Sequence, residues 1–345
     1  MLKQLVRYFF ANNSSTHRMY VYARSFYHRI RKLLFYISDA KKTYRDMRWG
    51  ANDNSSYWPI SSEMLFQYHK LEKGLCMPGE KRFFGYDPAK ATLDLLEYWR
   101  KLDYSLDDPV YLGALETLYS YRDRLDETPP VHGEQLKQLL DEEIQCFSRR
   151  YELQTPVPVK HSKIDDAFSM IERIAFARRS VRSFKPIEVD VEIIYRAVKI
   201  SQLSPSACNR QPWRAHMYRD KTLINGMLKF QNGNRGFGHT IPMLLVLTAE
   251  ASSFFDASER HEPYIDGGLF AMSLILALQS LGVSSCCLNW CVEPLQDRLA
   301  HEYGNICESE RIIMYLAVGY AEDAALVPRS PRRDINTVIS DHKIL

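Results

Sequence analysis

A chain of 345 residues with 46% hydrophobic and 25% charged content is long enough for two globular domains and too apolar to be disordered. Its near-continuous apolar runs, such as Leu269 to Leu278, fall well short of the roughly 20 residues a membrane-spanning helix needs. Seven scattered cysteines without a Cys-x-x-Cys pair are poor material for a disulfide framework or a structural zinc site, and fit a reducing cytoplasm.

The N-terminal apolar patch is interrupted by Arg7 and has no cleavage site after it, so no secretory signal is expected. The net charge of +3 is unevenly spread. Residues 1–48 hold eleven Lys or Arg against Asp39 and Asp46, a local +9, which leaves −6 for the other 297 residues. Aromatics interleave with these cations at helical spacing. Such a segment can lie on an anionic membrane, making the protein membrane-peripheral, or pack on its own protein; no nucleic-acid partner is expected.

Apolar spacing of three and four predicts helices over 18–48, 60–75, 88–102, 108–125 and 133–150, so residues 1–153 read as an all-helical region. Within it, His69, Glu72 and Lys73 read as a solvated helix face. Two alternating prolines in 154–163 predict an extended linker before a second domain at 164–345. There the pattern alternates. A helix is expected over 164–177, and a second, capped by Asp190, runs through Ile194 and Val198. A strand at 215–218, a short helix at 223–230 and a fully buried strand at 243–249 follow. A central helix at 264–281, apolar nearly all round, and strands at 283–290 and 312–320 complete an α+β domain.

Three guanidiniums and a hydroxyl fall within five residues at Arg178, Arg179, Ser180 and Arg182, a donor set suited to phosphate oxygens. The familiar phosphate loops are missing: no G-x-x-x-x-G-K-[ST] occurs, and GNRGFG at 233–238 has the wrong glycine order for a dinucleotide site. No hydrolase motif or metal-ligand cluster is present either. A further segment, SPSACNRQPW at 204–213, is rich in small residues and amides.

Taken together, ARRSVRSF at 177–184, SPSACNRQPW, the stretch GGLFAMSLILALQSLGVSSCCL at 267–288 and the basic tail RSPRRDINTVI resemble the FMN-dependent nitroreductase family over residues 164–342. The resemblance leaves the N-terminal half unassigned. It implies a three-layer α+β domain around a central mixed sheet, working as a homodimer with FMN at the interface. Arg178, Arg179 and Ser180 then match the phosphate and ribityl contacts, and Arg182 the cation at the pyrimidine end of the ring. Pro205, Ser206, Ala207, Asn209 and Gln211 match the segment laid on the flavin from the other subunit, and Asn234 the pyrimidine-edge Asn. Cys287, Leu288, Asn289 and Trp290 match the strand end whose backbone N–H, near Asn289 and Trp290, reaches flavin N5. Arg332, with Arg329 beside it, matches the tail arginine that returns to the phosphate.

A redox pair of Cys286 and Cys287 is not expected, because strand neighbours point to opposite faces; buried free thiols are expected instead. Phe237 and Ser330 depart from positions that are often basic in the family. The implied activity is hydride transfer from NADH or NADPH through FMN to an electron-poor acceptor, such as a nitro compound, a quinone or an unknown metabolite. It requires no acid–base side chain and no metal. The sequence leaves two rivals open: a flavin-binding scaffold that does not turn over, and a specialised flavin enzyme, either a biosynthetic dehydrogenase or one that consumes its flavin.

Overall fold

A computed structural model describes residues 14–47, 56–79, 82–127, 134–146, 155–159 and 164–342. The basic positions Lys3, Arg7 and Arg48, and half of the expected linker, lie outside these.

Among the described residues, five helices lie in the N-terminal region: α1 (Ser14–Asp46), α2 (Tyr57–Cys76), α3 (Tyr86–Lys101), α4 (Pro109–Asp126) and α5 (Glu134–Cys146). Apolar residues at three- and four-residue spacing on α2, including Ile60, Met64, Tyr68 and Leu71, meet Leu96, Trp99, Tyr111, Leu115 and Tyr121 in one core. Trp99 is fully buried and its indole N–H donates to the Ser105 carbonyl at 3.1 Å, so the large ring is packed without an orphaned donor. The start of α4 is set by Asp108, whose carboxylate accepts the Val110 N–H at 2.8 Å, followed by Pro109. His69 and Glu72 pair with each other at 3.0 Å, three residues apart on α2, as a local helix-face contact.

The second domain alternates helices and strands. Its helices are α6 (Ala167–Ala177), α7 (Val191–Ser201), α8 (Lys221–Leu228), α9 (Glu262–Ser280) and α10 (Pro294–Gly304). Its strands are β1 (Trp213–Tyr218), β2 (Met243–Glu250), β3 (Ser284–Asn289) and β4 (Glu310–Gly319), in sheet order β1-β2-β4-β3. The expected mixed sheet is corrected here: all three ladders are antiparallel, and the parallel character is confined to a single bridge between Ser180 and Ser285. The physical reason is that the chain entering the domain runs beside β3 only long enough for one such pair.

Every residue of β2 is buried, and its side chains alternate between faces. Leu244 and Val246 join Ile224, Met227 and Ala300 on the side of α8 and α10. Met243, Leu245 and Leu247 join Ile194, Phe270 and Leu274 on the side of α7 and α9. Two helical layers thus sandwich the sheet. Asp190 caps α7, accepting the Glu192 N–H at 3.0 Å. Helix α10 has no counterpart in the sequence-based expectation; its signal is the capping box of Glu293 and Gln296 around Pro294.

Candidate functional site

The free edge of β3 gathers the first group of expected residues. Helix α6 ends at Arg178, and the chain then crosses β3, the Val181 N–H donating to the Ser285 carbonyl at 3.1 Å. Because backbone groups alternate along a strand, the N–H groups of Cys287 and Asn289 point to the same outer edge as Ser285. Arg182 stands close enough to the buried Cys286 for its guanidinium to hold down that thiol's pKa, although burial, the larger effect, leaves it raised, and Arg178 stands beside Cys287. Arg179 donates to the Arg178 carbonyl at 2.9 Å and Arg182 to the Ser180 carbonyl at 3.4 Å. Among the described residues no carboxylate pairs with Arg178, Arg179 or Arg182.

Cys286 is buried and Cys287 exposed, so the two thiols do point apart; the expectation that both are buried is corrected for Cys287, which sits on the opposite face. Leu288 is core. The Asn289 carbonyl accepts from the Gln231 amide at 3.0 Å, and its own amide donates to Cys291 Sγ at 3.2 Å. Trp290 stacks on Tyr315 with centroids 4.6 Å apart, its N–H donating to Asp297 at 2.8 Å.

The second group lies on the 204–213 segment. Three non-glycine residues there have left-handed backbones: Cys208, Asn209 and Gln211, with φ of 52°, 54° and 49°. Such a turn persists only if its surroundings hold it. The Ser206 hydroxyl accepts the Gln211 N–H at 3.0 Å, and the Asp266 carboxylate, on α9, accepts the Ala207 N–H at 3.1 Å. The chief anchor is Arg210. It is 1% exposed, pairs with Glu259 at 2.5 Å, donates to the Ser253 carbonyl at 2.9 Å, and lies about 5 Å from the rings of Phe66, Phe254 and Phe255. Phe66 belongs to α2, so the N-terminal region braces this segment directly. With Arg210 turned inward, Pro205 and Asn209 are left exposed and the Gln211 amide caps the Asn209 carbonyl at 3.2 Å.

Asn234 is engaged in its own loop: its amide donates to the carbonyls of Leu228 and Gln231, at 2.8 and 2.7 Å. Only its Oδ1 remains for another partner. Arg329 and Arg332 are exposed on a tail in which 328–342 are all exposed, and Arg332 donates to the Ser330 carbonyl at 2.6 Å. Among the described residues no hydrogen bond or ion pair joins that tail to Arg178, Arg179 or Arg182. One protomer therefore assembles the β3 edge with its arginines and separately presents the 204–211 turn and the tail. Sequence reasoning missed Arg210, Asp266 and Gln231, which hold these pieces in place. A cleft of about 1260 Å³ lies elsewhere, between α1 and α10, and Trp290 is the one candidate residue that lines it.

The sequence model of the nitroreductase family matches residues 175–231 and 219–320. The C-terminal half of the chain belongs to the nitroreductase family. This nitroreductase-family domain is 27% identical over 159 residues to a putative NADH dehydrogenase/NAD(P)H nitroreductase of Archaeoglobus fulgidus, covering 44% of this chain and 85% of that one. It is 24% identical over 218 residues to the nitroreductase NfnB of Mycolicibacterium smegmatis, covering 50% and 92%. A solved nitroreductase with bound FMN from Bacteroides fragilis superposes with a TM-score of 0.41 at 16% identity, covering 50% of this chain and 98% of its own. The family match leaves residues 1–174 outside it.

Proposed function

We propose that the nitroreductase-family domain binds FMN at the β3 edge and works as a homodimeric oxidoreductase. When bound, FMN supplies the chemistry, taking hydride from NADH or NADPH and passing it to an electron-poor acceptor such as a nitro compound or a quinone. The chain's own task is to bind and orient. Arg178, Arg179 and Ser180 hold the phosphate and ribityl chain, and Arg182 faces the pyrimidine end of the ring. The outward N–H groups of β3 near Asn289 donate to the ring edge. The partner's 204–211 turn then covers the ring, with Asn209 and Gln211 as its amide contacts, and Arg332 or Arg329 closes on the phosphate.

The observation that carries this reading is the set of three arginines along a strand edge left open beyond Ser285, with no carboxylate among the described residues to neutralise them. Such a cluster calls for an anion. The dimer is supported by α6, an apolar helix with no buried residue, and by Ile265, Leu269 and Met272, which form an exposed apolar face on α9. In a monomer these faces stay in water.

The purified chain is expected to carry a flavin absorption band that bleaches anaerobically on adding NADH or NADPH and returns with a nitroaromatic or quinone. Arg178→Met and Arg182→Met should each weaken FMN binding by about 10- to 100-fold, the worth of one charge-assisted contact. A folded, colourless protein that added FMN fails to colour would overturn the proposal.

A further inference from the structure

Helix α1 presents two unlike faces. Toward the second domain it turns Arg31, Lys42, Arg45 and Asp46, which pair with Glu293, Asp297, Glu308 and Arg311. The other side carries Met19, Ala23, Phe26, Ile30, Leu33, Ile37 and Ala40. Their spacings run 4, 3, 4, 3, 4, 3 without a break, the seven-residue repeat of a helix that packs along a second helix. None of this seam is covered: Met19 is 73% exposed, Phe26 65% and Leu33 57%. The residues that dock α1 on its own chain fall at other positions of the same repeat, so docking and seam do not compete.

Residues 21–30 are exposed on every side, because ion pairing with the second domain begins only at Arg31. A helical stretch of that length standing alone in water is marginal at best. A partner along the seam would supply the packing it lacks.

The edges of the seam indicate which partner. Tyr22, Tyr27, Leu34 and Tyr36 flank it together with two cations, Arg29 and Lys41, and no acid. Two copies laid together in register place Arg29 against Leu34 and Lys41 against Tyr36; laid head to tail, they place Arg29 against Tyr36. In neither arrangement do like charges meet, and a cation over a tyrosine ring is favourable. Three of the basic residues of α1, Arg31, Lys42 and Arg45, are turned away from the seam to the protein's own carboxylates. We propose that α1 pairs through this seam with α1 of a second copy of the chain, whether or not the second domain holds FMN. From Met19 to Ala40 the contact is about 32 Å long, at 1.5 Å per residue.

Cysteine crosslinking of the full chain tests this. On mild oxidation, Leu33→Cys should form disulfide-linked dimers if the helices run parallel, and an equimolar mixture of Ile30→Cys and Leu33→Cys chains should do so if they run antiparallel. At least one of the two is expected to exceed by several-fold both the wild type, which reports on the native thiols, and Arg24→Cys, on the opposite face. These side chains are exposed, so the variants should fold. Crosslinking no greater than in the controls overturns the pairing. If the wild type then floats with phosphatidylcholine–phosphatidylserine vesicles and Ile30→Asp/Leu33→Asp does not, the seam belongs to a bilayer, and the proposal is equally overturned.

Discussion

Asp266 shows how one buried residue both shapes the candidate site and burdens the fold. Its carboxyl is 2% exposed, and burial, with Glu262 and Glu259 nearby, pushes its pKa up to about 6; the Ala207 N–H and the Arg210 guanidinium work in the opposite direction. A carboxyl whose pKa is raised on folding adds stability below the unfolded value near 3.8 and loses that contribution as pH rises through 6. Asp266→Asn keeps an oxygen to accept the Ala207 N–H and removes the titration. The stability of the wild type relative to this variant should therefore grow as pH falls from 7 to 4, by up to about 3 kcal/mol. Urea unfolding of both proteins at the two pH values measures it, and a difference that does not change with pH contradicts the assignment. Asn209 and Gln211 stand out in the sequence as amides among small residues, and the structure keeps both at the surface side of the turn, the Gln211 amide on the Asn209 carbonyl. The role of Arg210 was not legible there, because a left-handed backbone on either side of it turns the side chain inward, and no residue pattern announces that reversal.

At the scale of elements, the sheet and most of the helices follow from periodicity, since β2 is a plain apolar run buried on both faces and the α7 cap is a local Asp190 signal. What periodicity could not give was the free face of α9. An all-round apolar helix reads as central, yet Ile265, Leu269 and Met272 are exposed in a single copy of the chain. The buried face of α9 crosses the sheet closely at Gly267, where an added Cβ would stand 2.6 Å from Ile313 Cγ1 and 3.6 Å from the Ala249 Cβ. Gly267→Val should push helix and sheet apart and cost about 1–3 kcal/mol, as overpacking of a tight contact does. Thermal unfolding of Gly267→Val beside Gly268→Val, where nothing lies within 4 Å of the added Cβ, separates this steric effect from the β-branched residue's poorer helix propensity. Equal losses at the two positions would show that Gly267 is not a packing requirement.

Across the whole molecule, the described residues join the family-specific domain to the helical region at places of different character. Helix α2 reaches the 204–213 turn through Phe66, which meets Phe255 with centroids 4.7 Å apart and lies beneath the Arg210 guanidinium. Helix α1 grips the start of β4 and α10 through charge. The sequence showed an excess of cations in this segment but not their partners, since Glu293, Asp297 and Glu308 lie more than 240 positions away and only the fold brings them near. These pairs are unequal. Arg31–Glu293 and Arg45–Glu308 are open to water, where an ion pair contributes about 0.2–1 kcal/mol and is screened by salt. Asp46–Arg311 is buried on both sides, at 2.7 Å, and one Arg311 nitrogen, Nη2, already has no partner, so removing Asp46 strands a charge away from water. Asp46→Ala is therefore expected to cost about 3 kcal/mol and to free α1, whereas Arg31→Ala and Arg45→Ala each cost under about 1 kcal/mol. Hydrogen exchange within residues 31–46 should accelerate strongly in Asp46→Ala and only slightly in the other two, and 1 M salt should leave the wild type nearly unchanged. If salt or the two arginine variants release α1 as readily as Asp46→Ala does, the buried pair is not what fastens this helix to the domain.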